Sequence, residues 1–460
     1  MSSKPIVVAT LALMAIGIAW ALSPLTVLFA LAIVGIVRLG MRDLDGDERR
    51  WATTLVVLAI ALRVLAIAAL FLVTNHDQVA FGRFFADEEY YIKRSLWLRN
   101  VTLGISMYNF DIEYAFEPNA SSSFVDLLAF IQMIVGPSPY GLHLLSIALY
   151  IAAVLLLYRA VRVTLGRMPA LFGLAVLLYL PSLFAWSVSV LKEPLFVFVS
   201  ALGIVLVSGL ARADSLLRRA SIAIALVGVA AILQTIRAGG ASFLALAAAG
   251  GLVTGLLASR RRLMIATLVA APILFGALVR IPAVQLRLYV AVQRAARQHW
   301  GAVVVSSGYR YRLLDDRFYP DINQVSSLEF KETMRFLGRG AAAFLTVPRP
   351  WDSPSPAAAA YIPEQIVWYV LVVLAVVGTR SGLRRDAAMT GLLVTSTVLI
   401  AAAAAFTDGN VGTLVRHRSL ALSYLVWLSG VGACEVLGAL HRRWSTPPNE
   451  FPPGLRMRPA

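Results

Sequence analysis

Long apolar runs, broken at intervals by short arginine-rich segments, recur along most of this chain. A helix needs about 20 apolar residues to cross the hydrocarbon core of a bilayer, and runs of that length repeated many times are the signature of a polytopic helical membrane protein. The composition agrees. Of 460 residues, 59% are hydrophobic and 14% charged, against about 25% charged in a soluble domain. A water-soluble fold could not hide that much apolar surface. Cys434 stands alone and can form no internal disulfide, and the sequence offers no Cys/His cluster for zinc.

The chain carries 41 Lys and Arg against 25 Asp and Glu, a formal charge of +16. On a soluble protein this excess would suggest a nucleic-acid partner. Here much of it lies in short loops between apolar runs, where membrane topology explains it, and no nucleic-acid partner is expected.

Spans are expected near 5–21, 24–39, 51–73, 140–160, 168–186, 193–210, 219–236, 241–258, 262–281, 362–379, 387–406 and 416–438, about twelve in all. The first follows Lys4 and ends near Ala19-Trp20-Ala21, a pattern that imitates a signal peptide. It reads better as a retained span, because the apolar run resumes directly after Ser23-Pro24. Alternate loops hold Arg38, Arg42, Arg49 and Arg50; Arg159, Arg162 and Arg167; Arg212, Arg218 and Arg219; Arg260, Arg261 and Arg262; and Arg380, Arg384 and Arg385, with Arg442 and Arg443 beyond the last span. By the positive-inside rule that face is cytoplasmic, in an integral plasma (inner) membrane.

The opposite, extracytoplasmic face then receives two long segments, 74–139 and 282–361, both rich in Trp, Tyr, Phe and Leu. They are expected to carry amphipathic helices lying on the membrane surface, 121–136 and 283–299 among them. The organisation is thus an N-terminal hairpin and loop over 1–50, a core over 51–281 that includes the first long segment, the second long segment, C-terminal spans over 362–443 and a solvated tail over 444–460.

Polar residues gather where spans meet the outer face. Phe84-Phe85-Ala86-Asp87-Glu88-Glu89-Tyr90-Tyr91 places three adjacent carboxylates among aromatics. One reading is a general base at the water–membrane boundary with Tyr90 and Tyr91 shaping a pocket. The other is a solvated helix start with favourable acids in its first turn. Lys192-Glu193-Pro194 either anchors two helix ends or binds a phosphate through Lys192, oriented by Glu193. The string Thr407–Arg418 ends in Arg416-His417-Arg418, two guanidiniums on the face where the rule disfavours them. Their forks suit phosphate oxygens, although lipid-headgroup anchoring also fits, and Asp408 could pair with Arg416. Arg237, followed by Gly239-Gly240, is a further cation of this kind. Arg63, deep in the third run, carries an insertion cost of at least ~2.5 kcal/mol. An acid on another helix is its expected partner, ahead of a lipid phosphate. His76, His143 and His299 receive no role. Asp87, Glu88 and Glu89 offer oxygen ligands to Mg²⁺ or Mn²⁺, but adjacent residues rarely converge on one ion, so a divalent metal is not favoured and no cofactor is assigned.

An arginine-bearing span followed by an outward Asp-Glu-x-Tyr-Tyr motif and a surface-helix segment resembles the GT-C glycosyltransferases, of the protein O-mannosyltransferase and aminoarabinose transferase types. Gly136-Pro137-Ser138, Leu180-Pro181-Ser182 and Lys192-Glu193-Pro194 extend the likeness, which covers roughly 51–210. The resemblance implies a GT-C architecture and inverting transfer of a sugar from a polyprenyl-phosphate donor to a glycan, lipid or protein acceptor of the cell envelope, on the outer side. It implies Asp87 as the base for the acceptor hydroxyl, Glu88 as its partner, and basic groups on the departing phosphate, carried here to Lys192, Arg237, Arg416 and Arg418. Glu193 and His417, with Tyr90 and Tyr91, would complete the substrate pocket. Glu117-Pro118-Asn119-Ala120-Ser121 departs from the family's His-Pro-Pro and leaves the acceptor contacts open. The rival expectations are a polysaccharide polymerase or ligase using lipid-diphosphate-linked oligosaccharides, and a flippase or transporter of lipid-linked glycans.

Overall fold

The computed structural model describes residues 23–116, 123–306, 309–315, 317–319, 328–349 and 359–445, with residues 321 and 351 and a few positions between 10 and 20. The described chain is helical nearly throughout. Its only β pairing is an isolated antiparallel bridge between Arg310 and Asn410. Among the described residues, eight helices are long and apolar enough to cross a membrane, and up to ten if each of two bent pairs counts as a span, so the chain is a multi-pass membrane protein.

The expected spans correspond to helices as follows. The expected span 5–21 lies mostly outside the described residues, and 24–39 forms a helix, α1 (Pro24–Gly40), of 17 residues. The next spans are α2 (Gly46–Val73) and, after the first long segment, α6 (Pro139–Thr164). The expected span 168–186 is two helices, α7 (Arg167–Tyr179) and α8 (Pro181–Ser187), meeting at 65°. Then come α9 (Lys192–Ala211), α10 (Leu216–Ile236) and α11 (Gly240–Ser259). The run near 262–281 is α12 (Arg261–Val279), which turns 87° into α13 (Pro282–Val305). The C-terminal spans are α15 (Ile362–Arg385), α16 (Ala387–Thr407) and α17 (Val411–Ser445), the last beginning five residues before its expected start at 416. The two long segments do carry helices: α3 (Ala86–Thr102), α4 (Asn109–Ala115) and α5 (Ser123–Val135) in the first, α13 and α14 (Phe330–Thr346) in the second. The string 117–121 and most of the tail, 446–460, lie outside the described residues.

Helix α17 is the axis of the bundle, packed on α15, α16 and α7. Small residues let it come close. A Cβ on Gly378 of α15 would collide with the Leu428 carbonyl, and one on Gly432 with that of Leu374, so the two backbones touch where neither carries a side chain.

The break between α7 and α8 explains Arg63. Proline at 181 has no N–H to return to the Leu177 carbonyl, and the Ser182 amide donates instead to Glu364 Oε2 at 3.0 Å. Two carbonyls are thereby released inside the bundle, where an unpaired acceptor is costly. Tyr150 Oη donates to Leu177 O at 2.6 Å, and Arg63 Nη2 to Leu178 O at 3.0 Å. The Arg63 Nε donates to Ser187 Oγ at 2.7 Å, and the rings of Tyr150 and Phe184 flank its guanidinium. The expected carboxylate partner is therefore replaced by carbonyls, a hydroxyl and ring faces. Arg63 completes a helix break.

Arginines from separate loops meet at one end of the bundle and pair with acids there. Arg162 donates to buried Glu48 at 2.7 Å, Arg385 donates to Glu435 at 2.9 Å, and Arg212 pairs with Asp386. The polar residues singled out above lie at the other end.

Candidate functional site

Helix α3 begins at Ala86, with Asp87, Glu88 and Glu89 in its first turn, where acids oppose the positive end of the helix dipole. The three carboxylates diverge. Glu89 pairs with Arg83 and Lys93. Glu88 turns inward and is fully buried. Its Oε1 accepts from the amides of Phe84 and Phe85 at 2.9 and 2.7 Å, and its Oε2 from the Val190 amide at 3.2 Å. Burial pushes this carboxyl up to about 7, against the pull of those three N–H groups. His143 lies beneath it, 3.5 Å from Oε2, and donates through Nδ1 to Val188 O at 2.7 Å. Glu88 thus fastens α3 to the turn 188–191, which fixes the start of α9 below Asp87. This is a structural anchorage, distinct from the partnership in the chamber that the resemblance implies.

Asp87 points the other way, half exposed, and accepts from Arg416 Nη1 at 2.5 Å across 329 residues of sequence. The second face of Arg416 looks to Glu193: Nε is 3.5 Å from Glu193 Oε1 and has no hydrogen-bond partner among the described residues. Glu193 is 3% exposed. Its charge is felt by Arg416, His417, Arg237 and Lys192, so three of the four expected basic groups, and the imidazole with them, act on a single buried carboxylate. Tyr91 lies within reach of Asp87, Glu193 and Arg416, its ring edge against Phe124 and Tyr90. Burial, and then the charge of Glu193, hold its phenol well above the ordinary range, so it stays protonated and can donate. Tyr90 leans back on Arg94.

Arg237 follows α10, and a left-handed Gly239 with φ of +88° turns the chain into α11. Arg237 Nη2 donates to His417 Nε2 at 3.1 Å, and His417 Nδ1 meets the Asp408 carboxylate at 2.8 and 2.9 Å. Asp408 therefore pairs with His417 and leaves Arg416 to Asp87 and Glu193. The sequence suggested Arg416 as the partner of Asp408 and gave the buried His143 and His299 no role; no spacing rule links an acid to a histidine nine residues along a turn and helix.

Arg418 does not join the cluster. It is 4% exposed on the opposite side of α17. Its Nη2 donates to the carbonyls of Phe344, at 2.6 Å, and Val347, and its Nη1 to Gln365 Oε1 at 2.5 Å, with the rings of Phe344 and Trp368 flanking the guanidinium. These are the carbonyls at the C-terminal end of α14, a position where a cation is favoured. Arg418 pins the second long segment to the bundle.

Beside Arg237 and His417 lies an apolar cavity of about 270 Å³ between α9, α11, α16 and α17. Among the described residues, no group of three or more His, Cys, Asp or Glu is placed to hold a metal ion. The site thus gathers the charges of Lys192, Arg237 and Arg416 about the buried Glu193, next to the half-exposed Asp87 and an apolar chamber. Comparison with protein-family models and with curated proteins finds no match to this chain.

Proposed function

We propose that this chain is a membrane glycosyltransferase of GT-C type that moves a sugar from a polyprenyl-phosphate donor to a cell-envelope acceptor, on the extracytoplasmic side of the plasma membrane. The observation that carries the reading is the meeting of Asp87 and Arg416, from opposite ends of the chain, beside Glu193 and two further cations and next to a chamber lined with apolar side chains. Lipid phosphate and sugar acceptor need such a junction, with positive charge for one and a carboxylate base for the other.

In this reading Arg416 has two states. Without donor it is tied to Asp87. A donor phosphate draws the guanidinium towards itself, aided by Lys192 and Arg237, and leaves the Asp87 carboxylate free. The acceptor hydroxyl then gives its proton to Asp87 while its oxygen forms a bond to the anomeric carbon from the face opposite the phosphate. The bond from that carbon to the phosphate oxygen breaks, its electron pair stays on the phosphate, and the three cations stabilise the charge that develops. The anomeric configuration inverts.

Replacement of Asp87 by Asn tests this directly in reconstituted vesicles. Transfer of labelled sugar from the lipid phosphate should be abolished with donor binding and folding kept, and full activity in that variant would end the reading. Three cations around one anion site also suit a diphosphate, which favours a polymerase or ligase of lipid-diphosphate oligosaccharides as the second reading. Single-sugar products support the first and a ladder of repeat units the second. Transport is disfavoured, because Arg63, the mid-helix charge it would use, is occupied by Leu178 O and Ser187.

A further inference from the structure

The apolar cavity and the residues behind Arg237 form one device. Phe196, Phe243 and Ile400 wall the cavity, and Leu246, also in the wall, is 52% exposed, so the cavity opens on the flank of the bundle there. Arg237 and His417 stand at its polar end, with the Gly239-Gly240 turn between α10 and α11.

A guanidinium only donates, so the Nε2 of His417 that receives Arg237 at 3.1 Å must carry a lone pair. The proton of this neutral imidazole is then on Nδ1, directed at both oxygens of Asp408, 2.8 and 2.9 Å away. Asp408 is itself immobilised: its side chain is buried, and its carbonyl accepts from His299 Nδ1 at 2.6 Å. Carboxylate, imidazole and guanidinium therefore run in series, each selecting the tautomer or orientation of the next. Among the described residues, this arrangement uses one N–H of Arg237 and leaves the others of its fork for a ligand.

We propose that Asp408 and His417 are positioning residues, which hold the Arg237 guanidinium across the mouth of a chamber that takes the chain of an isoprenoid monophosphate. The hydrocarbon lies among Phe196, Phe243, Leu246 and Ile400, reached sideways from the bilayer, and the phosphate rests on the free N–H groups of Arg237, with Lys192 in electrostatic reach. This rests on the lipid-phosphate reading above and adds the place of the chain and the source of Arg237's orientation.

The test is binding of farnesyl phosphate, farnesol and inorganic phosphate to the full-length protein in detergent, by intrinsic fluorescence. Wild type should bind farnesyl phosphate more tightly than either of the others, since only it uses both chamber and fork. His417→Phe removes the acceptor for Arg237 and should weaken farnesyl phosphate by about 10- to 100-fold, the scale of one charge-assisted hydrogen bond. Farnesol binding should be unchanged, which also reports that the variant is folded. His417→Gln keeps an acceptor near the place of Nε2 and should restore most of the lost affinity. Asp408→Asn, which offers the imidazole an N–H in place of an oxygen, should weaken the phosphate in the same direction and by less. Leu246→Trp fills the chamber and should weaken farnesol and farnesyl phosphate alike. Equal farnesyl phosphate affinity in wild type and His417→Phe overturns the positioning role and leaves the function reading standing. Unchanged binding in Leu246→Trp overturns the chamber. A wild type that binds no farnesyl phosphate overturns this inference and the lipid-phosphate reading together.

Discussion

Arg418 is enclosed by the carbonyls of Phe344 and Val347 and the amide oxygen of Gln365, whereas Arg416, two residues earlier on the same helix, faces the carboxylates of Asp87 and Glu193. Arg63 resembles the first, since carbonyls and a hydroxyl satisfy it; Arg237 resembles the second, since it meets an imidazole and keeps most of its fork open. The difference is one of partner. A carbonyl cage uses an arginine to close helix ends and breaks, and it demands a fixed geometry. A carboxylate or imidazole partner at a cavity can be exchanged for an incoming anion, because the ligand offers the same kind of oxygen. These four guanidiniums thus divide into the fully buried Arg63 and Arg418, which hold the fold, and the partly exposed Arg237 and Arg416, which are placed to change partners.

Substitutions should separate the two groups. Arg416→Ala should show the largest effect, a loss of transfer of about 10²- to 10³-fold, the scale of removing one donor to a developing oxyanion. Its thermal stability in detergent should fall by less than that of the Arg418 variant, since the partly exposed Asp87 can turn to water and Lys192 and Arg237 still act on the buried Glu193. A fall in stability as large as that of the Arg418 variant would erase the distinction. Arg418→Leu should do the reverse and destabilise, with about 1–3 kcal/mol for each acceptor left without a donor. Limited proteolysis should then cut first at the C-terminal end of α14, around 344–347. Arg63→Leu should destabilise less than Arg418→Leu. It strands Leu178 O, but it also relieves the ~2.5–3.5 kcal/mol cost of a cation at membrane depth.

The smallest effect concerns Glu88, the inward neighbour of Asp87. Its carboxyl rises from an ordinary 4.5 to about 7 in the folded protein, so folding takes up a proton. The associated stability is fully present below the unfolded value and is lost as pH rises through about 7. Melting temperature should therefore decline across that window, and Glu88→Gln should flatten the slope. A slope that persists in Glu88→Gln would assign it to other groups.

The helices themselves were legible, because apolar length and arginine-rich breaks follow directly from what a bilayer excludes. The bend at Leu180-Pro181 was not placed, although its proline was in view; its size depends on Tyr150, Arg63 and Glu364 being there to receive the released groups. Within the site, the residue types at Lys192, Arg237 and Arg416 signalled an anion, and the structure brings them around Glu193. The separation of Arg416 from Arg418 was obscured by starting the last span at 416. With the helix beginning at Val411, two residues correspond to a turn of about 200°, which sends them to opposite faces. Asp87 and Glu88 diverge for the same reason, by about 100°. The partnership of Asp408 with His417 depends on the local path of the chain between α16 and α17, which no pattern in the string expressed.

The half-exposed Asp87 and the side opening at Leu246 carry a kinetic consequence. On the proposed reading the two substrates arrive through separate doors, one from water and one from the hydrocarbon phase. Neither blocks the path of the other, so excess acceptor should not inhibit by occupying the donor's route, while the tie of Asp87 to Arg416 makes the donor the first to engage.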